Sequence, residues 1–275
     1  MKNLSLNNDV GVVFTPEKWA KWLLKRYSIV DKWLSGKTVF DPTCGEGYFL
    51  NALVDLALEK KKIEELPLDN LYGADIKKNH IQTFLSNFKE KYNRQFPFKN
   101  LFHNDVILDD LSLSVDILIG NPPWQNFADL PNEYKKLIKP SFVKYGLARS
   151  NSNLLLGSSR IDISSLVVFK CISNNLKYGG EALFFLPLSL FLNEGAHKNF
   201  RNFSINETLF SVDEIIDFNG LKIFHNVSTR YGCAHFSKDQ KTRFPIKYFL
   251  FENDKWIQKK AAPLFFDNDP FSIFS

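Results

Sequence analysis

The sequence predicts an α/β fold built on a largely parallel sheet. Three observations predict it: short apolar runs alternate with stretches of helical periodicity, the first two runs each end at an aspartate (Asp41 and Asp75), and a glycine turn follows the first. A length of 275 residues suits one large domain, or a domain with a modest extension.

Each element follows in order. Residues 38–40 read as a buried strand ending at Asp41, and beyond the glycine turn Phe49, Leu50, Leu53, Val54 and Ala57 mark one face of a helix. Residues 71–74 form a second strand ending at Asp75, followed by a helical stripe of Ile81, Phe84, Leu85, Phe88 and Tyr92. A third short strand is expected at 98–103 and a fourth at 115–119. Residues 125–160, with Pro131, Pro140 and a polar, glycine-punctuated stretch from Arg149 to Arg160, read as a long substrate-contacting loop carrying one short helix. Asp162 then caps a helix bearing Leu166, Phe169 and Ile172, which is expected to stop at Gly179-Gly180. Residues 182–186 are a fifth strand, with later strands at 212–217 and 231–237. Near the N-terminus Thr15 suits a helix cap and Pro16 a first helical position, ahead of an apolar face of Trp19, Trp22, Leu23 and Tyr27. Core packing is the plain reading of both tryptophans.

Composition narrows the function. The chain is 44% apolar with 27 phenylalanines, most of them expected inside. A formal charge of +5 and a pI near 8.9 fit a nucleic-acid partner without requiring one. Cys44, Cys171 and Cys233 form no disulfide framework and no zinc pair, which points to a reducing cytoplasm. The longest apolar run, residues 182–192, is interrupted by Pro187 and Ser189 and falls short of the roughly 20 residues that span a bilayer. The N-terminus has no long apolar signal region, so a soluble intracellular protein is expected. His80, His103, His197, His225 and His235 show no metal-ligand spacing, and no metal is assigned.

Three stretches carry chemistry. In Asp41-Pro42-Thr43-Cys44-Gly45-Glu46-Gly47, a strand runs into a glycine turn and a helix, so that backbone N–H groups approach a ligand without Cβ obstruction. The third glycine of a dinucleotide fingerprint is replaced by Leu50, which disfavours a nicotinamide cofactor. Asp75 closes the second strand 28 residues after Gly47, where a carboxylate accepts ribose hydroxyls or simply caps a helix. The third stretch is the most specific: Asn121-Pro122-Pro123-Trp124 leaves the carboxyl end of an apolar strand, where open α/β sheets bind ligands. Two prolines stiffen the turn, Asn121 brings a side-chain acceptor, and Trp124 brings a flat face for a base. A rigid turn leaving a sheet is the structural alternative.

In this order the stretches resemble the Rossmann-like S-adenosylmethionine-dependent methyltransferases of the amino type, and above all the adenine-N6 DNA methyltransferases of restriction–modification systems. The resemblance covers about residues 12–240. It implies a doubly wound, mostly parallel seven-stranded sheet with an antiparallel edge strand. The segment from Phe14 through Thr15, Pro16 and Glu17 is similar to the one that covers the methionine end of the cofactor. Asp41, Pro42, Cys44, Gly45 and Gly47 match the cofactor loop, Asp75 with Ile76 the ribose-binding acid and its neighbour, and Asp105 with Val106 the segment meeting the cofactor adenine. Asn121, which also faces the cofactor, Pro122, Pro123 and Trp124 match the catalytic loop, and Phe224 the second aromatic wall of a base pocket. Implied, then, are S-adenosylmethionine as cofactor, double-stranded DNA as partner and a flipped adenine stacked on Trp124 as substrate, with Asn121 Oδ1 and the Pro122 carbonyl accepting the amino N–H groups.

The same loop serves enzymes acting on release-factor glutamine and on guanine of ribosomal RNA; the Thr15-Pro16 segment favours the DNA enzyme. A non-catalytic nucleic-acid-binding module is the rival from another class, and cofactor binding separates the two. We divide the chain into a catalytic domain, residues 1–240, and a C-terminal extension, residues 241–275. The family group normally adds a target-recognition domain, for which the 38 residues from Lys238 to Ser275 are too few. It is therefore expected in a longer polypeptide, or in a specificity or restriction subunit.

Overall fold

The computed structural model describes residues 15–148, 160–193, 195, 197–205, 208–224 and 227–262. Five strands form the parallel half of one sheet: β1 (Val39–Asp41), β2 (Leu71–Asp75), β3 (Leu101–His103), β4 (Val115–Gly120) and β5 (Leu176–Pro187). Four more complete the main path: β7 (Thr208–Asp217), β8 (Tyr231–Lys238), β9 (Ile246–Glu252) and β10 (Lys255–Ala261), while the two-residue β6 (Ser204–Ile205) pairs with β7. The order is β10-β9-β7-β8-β5-β4-β1-β2-β3. Strand order reverses between β1 and β4, a switch point that opens a crevice above the carboxyl ends of β1, β2 and β4.

Period-two alternation sends neighbouring side chains of each central strand into two layers. Phe40, Leu118 and Phe184 enter one layer, with α5 (Asn132–Lys144), α6 (Ile163–Asn175) and α7 (Ser189–Leu192). Val39, Ile117, Ile119, Leu183 and Phe185 enter the other, covered by α1 (Glu17–Arg26), α2 (Ile29–Leu34), α3 (Tyr48–Leu58) and α4 (Lys78–Tyr92). No helix among the described residues is long and apolar enough to cross a membrane.

Several expectations are corrected. The sheet has ten strands rather than seven, and its pairings are five parallel and four antiparallel. An antiparallel strand does stand at an edge, β10 beside β9, and a second, β8, lies inside the sheet between β5 and β7. Residues 98–100 make a single 3-10 turn, leaving three residues for β3. In the expected loop at 125–160, α5 runs for 13 residues with Pro140 inside it. Pro140 removes one backbone donor, and the buried Tyr134, Ile138 and Phe142 hold the helix despite that loss. Most of the polar stretch from Arg149 to Arg160 lies outside the described residues. Helix α6 stops at Asn175, not at Gly179-Gly180. The Asn175 amide donates to the Leu111 and Leu113 carbonyls, and Gly180 serves a close approach instead: a Cβ there would lie 2.9 Å from the Asp116 carbonyl oxygen.

Strands β9 and β10 continue the main sheet through a turn at Asn253-Asp254, both in the left-handed region, as a tight hairpin requires. β9 runs parallel to β7. The hairpin is fixed at two points. Trp256 stacks on Trp22 of α1 at 5.3 Å between ring centroids, and the Tyr248 hydroxyl donates to Asp217 at 2.6 Å. Along β10, Lys255, Gln258, Lys259 and Lys260 are exposed.

Candidate active site

The glycine turn is built from the end of β1. The Cys44 amide donates to the Ala74 carbonyl at 2.8 Å and the Gly47 amide to the Cys44 carbonyl at 2.8 Å, folding the chain back over β2. Gly45 and Gly47 both adopt positive φ, and at Gly47 a Cβ would lie 2.0 Å from the Phe84 ring. Only glycine fits that position. Gly120 is required on space alone, since a Cβ there would approach Asp41 Oδ1 at 2.8 Å.

Two buried aspartates organise the turn. Asp75 Oδ2 accepts the Gly45 N–H at 2.9 Å, and its Oδ1 accepts the Lys77 N–H at 2.8 Å beside the His80 ring nitrogen at 3.1 Å. Asp41 Oδ1 accepts the Thr43 N–H at 3.0 Å. Burial, reinforced by the Asp75 charge, pushes the Asp41 carboxyl up to about 8, and burial raises the Cys44 thiol well above its ordinary value. Asp105 Oδ2 accepts the Tyr134 hydroxyl at 2.8 Å, and its Oδ1 accepts the Ile107 and Leu108 N–H groups at 2.9 and 3.3 Å. Burial raises the Asp105 carboxyl against the pull of those donors.

These residues enclose one cleft of about 260 Å³ at the switch point. Of the residues singled out in the sequence, it is lined by Thr15, Asp41, Pro42, Cys44, Gly45, Asp75, Ile76, Asp105, Val106, Asn121 and Pro123. Pro16 and Gly47 are not part of its lining. Pro16, not Thr15, stands at the cap of α1, its carbonyl receiving the Trp19 and Ala20 N–H groups. Pro122 is buried beside the cleft. Trp124 is not among the residues lining this cleft, and its indole N–H donates to the Phe185 carbonyl at 3.3 Å. The ring stacks on Tyr231 at 5.7 Å and meets Phe224 edge-on at 5.0 Å. Phe224, expected as a second aromatic wall, thus stands beside Trp124 at a right angle, and Tyr231 is the near-parallel neighbour. His225 and Asn226, beside Phe224, lie outside the described residues.

Sequence reasoning missed other lining residues. Lys77 and His80 follow Asp75 by two and five residues, and that proximity is a signal for both. Gln125 directly follows Trp124, which is its signal, whereas Tyr134 and Ile163 reach the cleft from distant segments and carry no local signal. The cleft also offers polar atoms to a ligand: Thr15 Oγ1, Thr43 Oγ1 and Asn104 Oδ1 are buried without a hydrogen-bond partner among the described residues. Buried polar atoms left in this state are costly, and a polar ligand bound in the cleft relieves that cost. No cluster of metal-ligating side chains occurs among the described residues.

A family model described as Eco57I restriction-modification methylase matches residues 33–224. A search of curated proteins returned no match. Among solved structures, the type I restriction-modification system methyltransferase subunit from Streptococcus thermophilus is similar at TM-score 0.61 and 17% identity, over 92% of this chain and 51% of that one. The DNA-bound ATP-dependent Type ISP restriction-modification enzyme LlaBIII is similar at TM-score 0.67 and 14% identity, over 95% of this chain and 22% of that one. A protein from Listeria monocytogenes, described as a class I S-adenosylmethionine-dependent methyltransferase, is similar at TM-score 0.60 and 16% identity, over 90% of this chain and 67% of that one. At these identities the likeness is one of fold. The chain spans about half the length of the Streptococcus subunit.

Proposed function

The chain belongs to the Eco57I restriction-modification methylase family, and on that premise we propose that it transfers a methyl group from S-adenosylmethionine to N6 of a flipped-out adenine in double-stranded DNA. One observation carries this reading: Asn121 and Pro123 of the Asn-Pro-Pro-Trp loop line the same cleft as the glycine turn, Asp75 and Asp105. The unpartnered oxygens of Thr15, Thr43 and Asn104 suit a polar cofactor there. Bound in the cleft, the cofactor supplies an electrophilic methyl group on a sulfonium. Asp75 would meet its ribose, Ile76, Asp105 and Val106 its adenine, and Thr15 with Asp41, Pro42, Cys44 and Gly45 its remaining length.

The chain's own residues do the rest. The difficulty of methylating an aromatic amine is that the nitrogen lone pair is delocalised into the ring. Asn121 Oδ1 and the Pro122 carbonyl accept the two amino N–H groups, favouring a pyramidal nitrogen and stabilising the positive charge that develops on it. The rigid prolines hold those acceptors in one orientation. Trp124, outside the lining of the cofactor cleft and packed with Tyr231 and Phe224, is the face on which we place the extruded base, a stack worth about 1–3 kcal/mol. The product nitrogen then loses its proton readily, and no strong base is required.

Residues 1–240 hold every group assigned to the reaction, and we place the boundary of the catalytic domain there. The extension from residue 241 begins with two strands of the same sheet and leads, on this reading, toward a target-recognition region in a longer polypeptide or a partner subunit. The compartment that suits such an enzyme is the cytoplasm. The test is transfer of labelled methyl from S-adenosylmethionine to mixed-sequence duplex DNA, with RNA and protein substrates alongside, for wild type and Asn121→Ala. Label recovered as N6-methyladenine, lost in the variant while cofactor binding persists, is the expected result. Label entering RNA or protein instead rejects the DNA substrate.

A further inference from the structure

The geometry points to His80 as a positioning residue for Asp75: its imidazole fixes the carboxylate so that Oδ2 alone is presented to a ribose hydroxyl. The inference deepens the methyltransferase reading and rests on it for the identity of the ligand. The contact itself needs no ligand. Both side chains are buried, each 8% exposed, and both line the cleft.

A carboxylate only accepts hydrogen bonds, through about four lone-pair positions on its two oxygens. Among the described residues three donors hold Asp75. Oδ1 receives the Lys77 N–H at 2.8 Å and His80 Nδ1 at 3.1 Å, while Oδ2 receives the Gly45 N–H at 2.9 Å. Facing an acceptor, Nδ1 bears the ring proton. Oδ1 is therefore fully engaged, and the open position lies on Oδ2. Asp75 can accept one ribose hydroxyl without breaking a contact, where an unencumbered carboxylate would take both.

The cap of α4 does not account for the imidazole. Backbone groups close that turn, the Lys77 N–H on Asp75 and the His80 N–H on the Lys77 carbonyl at 3.1 Å. The ring nitrogen comes in addition, from a helix that cannot easily move. Ile81, Phe84 and Phe88 seat α4 in the core, and Phe84 lies so close to the glycine turn that a Cβ at Gly47 would fall 2.0 Å from its ring. One helix thus sets the glycine turn through Phe84 and the ribose acid through His80. A third donor, charge-assisted and carried by a buried ring, narrows the carboxylate rotation that two turn amides permit.

The test compares binding of S-adenosylhomocysteine, the cofactor without its methyl group, with binding of its 2′,3′-dideoxy analogue. The proteins are the whole chain as wild type, His80→Ala, and His80→Asn, which places an amide donor near the position of Nδ1. For His80→Ala we expect about tenfold weaker binding of S-adenosylhomocysteine and less than about twofold change for the analogue. His80→Asn should recover part of the loss. On DNA, KM for the cofactor should rise by a similar factor while kcat changes far less. Equal losses for the two ligands would leave His80 a purely structural role and overturn the proposal. Wild-type affinity for S-adenosylhomocysteine in His80→Ala overturns it too, as does a wild type that binds both ligands equally. Should His80→Ala fail to fold, His80→Phe keeps the ring's bulk without the donor and decides by the same comparison. If wild type binds neither ligand, the methyltransferase reading fails, and amide exchange in the ligand-free chain decides the contact. The Gly45 and Lys77 amides should then exchange about tenfold faster in His80→Ala, with β4 unchanged, and unaltered exchange at both overturns the proposal.

Discussion

The Tyr134 hydroxyl donates to Asp105 Oδ2 at 2.8 Å, joining α5 to the loop beyond β3 across 29 residues of sequence. It is the contact by which a helix from the irregular part of the chain becomes a wall of the cleft. Tyr134→Phe leaves a buried carboxylate oxygen without its donor, at a cost of about 1–3 kcal/mol. Calorimetry with S-adenosylmethionine should show weaker binding in this variant, and urea unfolding a lower midpoint. Wild-type affinity in Tyr134→Phe would separate Asp105 from the cofactor site.

Gly47→Ala should destabilise the fold by about 2–4 kcal/mol, combining a left-handed backbone with overpacking. Phe84 has no room to yield, because it is fully buried against Phe88 and Phe96. Equilibrium unfolding measures the loss directly. A variant as stable as wild type is incompatible with this turn.

Stability should depend on pH through Asp41. Its carboxyl ionises near 4 when unfolded but at about 8 when folded. Between those values the native state holds a proton the unfolded state has released, so stability falls as pH rises through the window. Asp162, raised to about 7, acts in the same direction. Urea midpoints at pH 5 and pH 8 should therefore differ less in Asp41→Asn than in wild type. Equal slopes in the two proteins would remove Asp41 as the source.

Asp217→Ala should loosen the C-terminal hairpin. Asp217 is fully buried, accepts the Tyr248 hydroxyl and pairs with Arg230, tying β7 to β9 and to the residue that leads into β8. Arg230 is half exposed and returns to water, whereas the Tyr248 hydroxyl loses its acceptor, a cost of about 1–3 kcal/mol. Limited proteolysis should cut the variant faster between β8 and β9. Unchanged cutting would mean that the Trp22–Trp256 stack holds the hairpin by itself.

What could be read in the sequence was local. The turn from Asp41 to Gly47, Asp75, and the loop from Asn121 to Trp124 each stand at the end of an apolar strand, where strand, glycine and carboxylate fall within a few residues. The partners of those groups were not legible. Tyr134 sits in a segment broken by two prolines, and its meeting with Asp105 depends on how α5 packs. The aromatic and charged mixture beyond Lys238 suits strands, but it reads as the start of a following region, and nothing local shows that β9 pairs with β7 of the main sheet. The helix starting at Ile163 ends at Asn175, short of the stop expected at Gly179-Gly180, because that pair mimics a helix stop while Gly180 serves strand packing. Trp124 was read as a stacking face, and the rings it packs with, Tyr231 stacked and Phe224 edge-on, lie about a hundred residues away and were not legible as its partners, Tyr231 least of all.

The two rims of the sheet end differently, and both endings discourage growth. At one side β3 has only three residues, too few to template another chain. At the other, β10 faces solvent with a row of ammonium groups, which a second copy would have to bring against its own. Among the described residues, both borders of the ten-stranded sheet thus carry features that oppose pairing with a second copy.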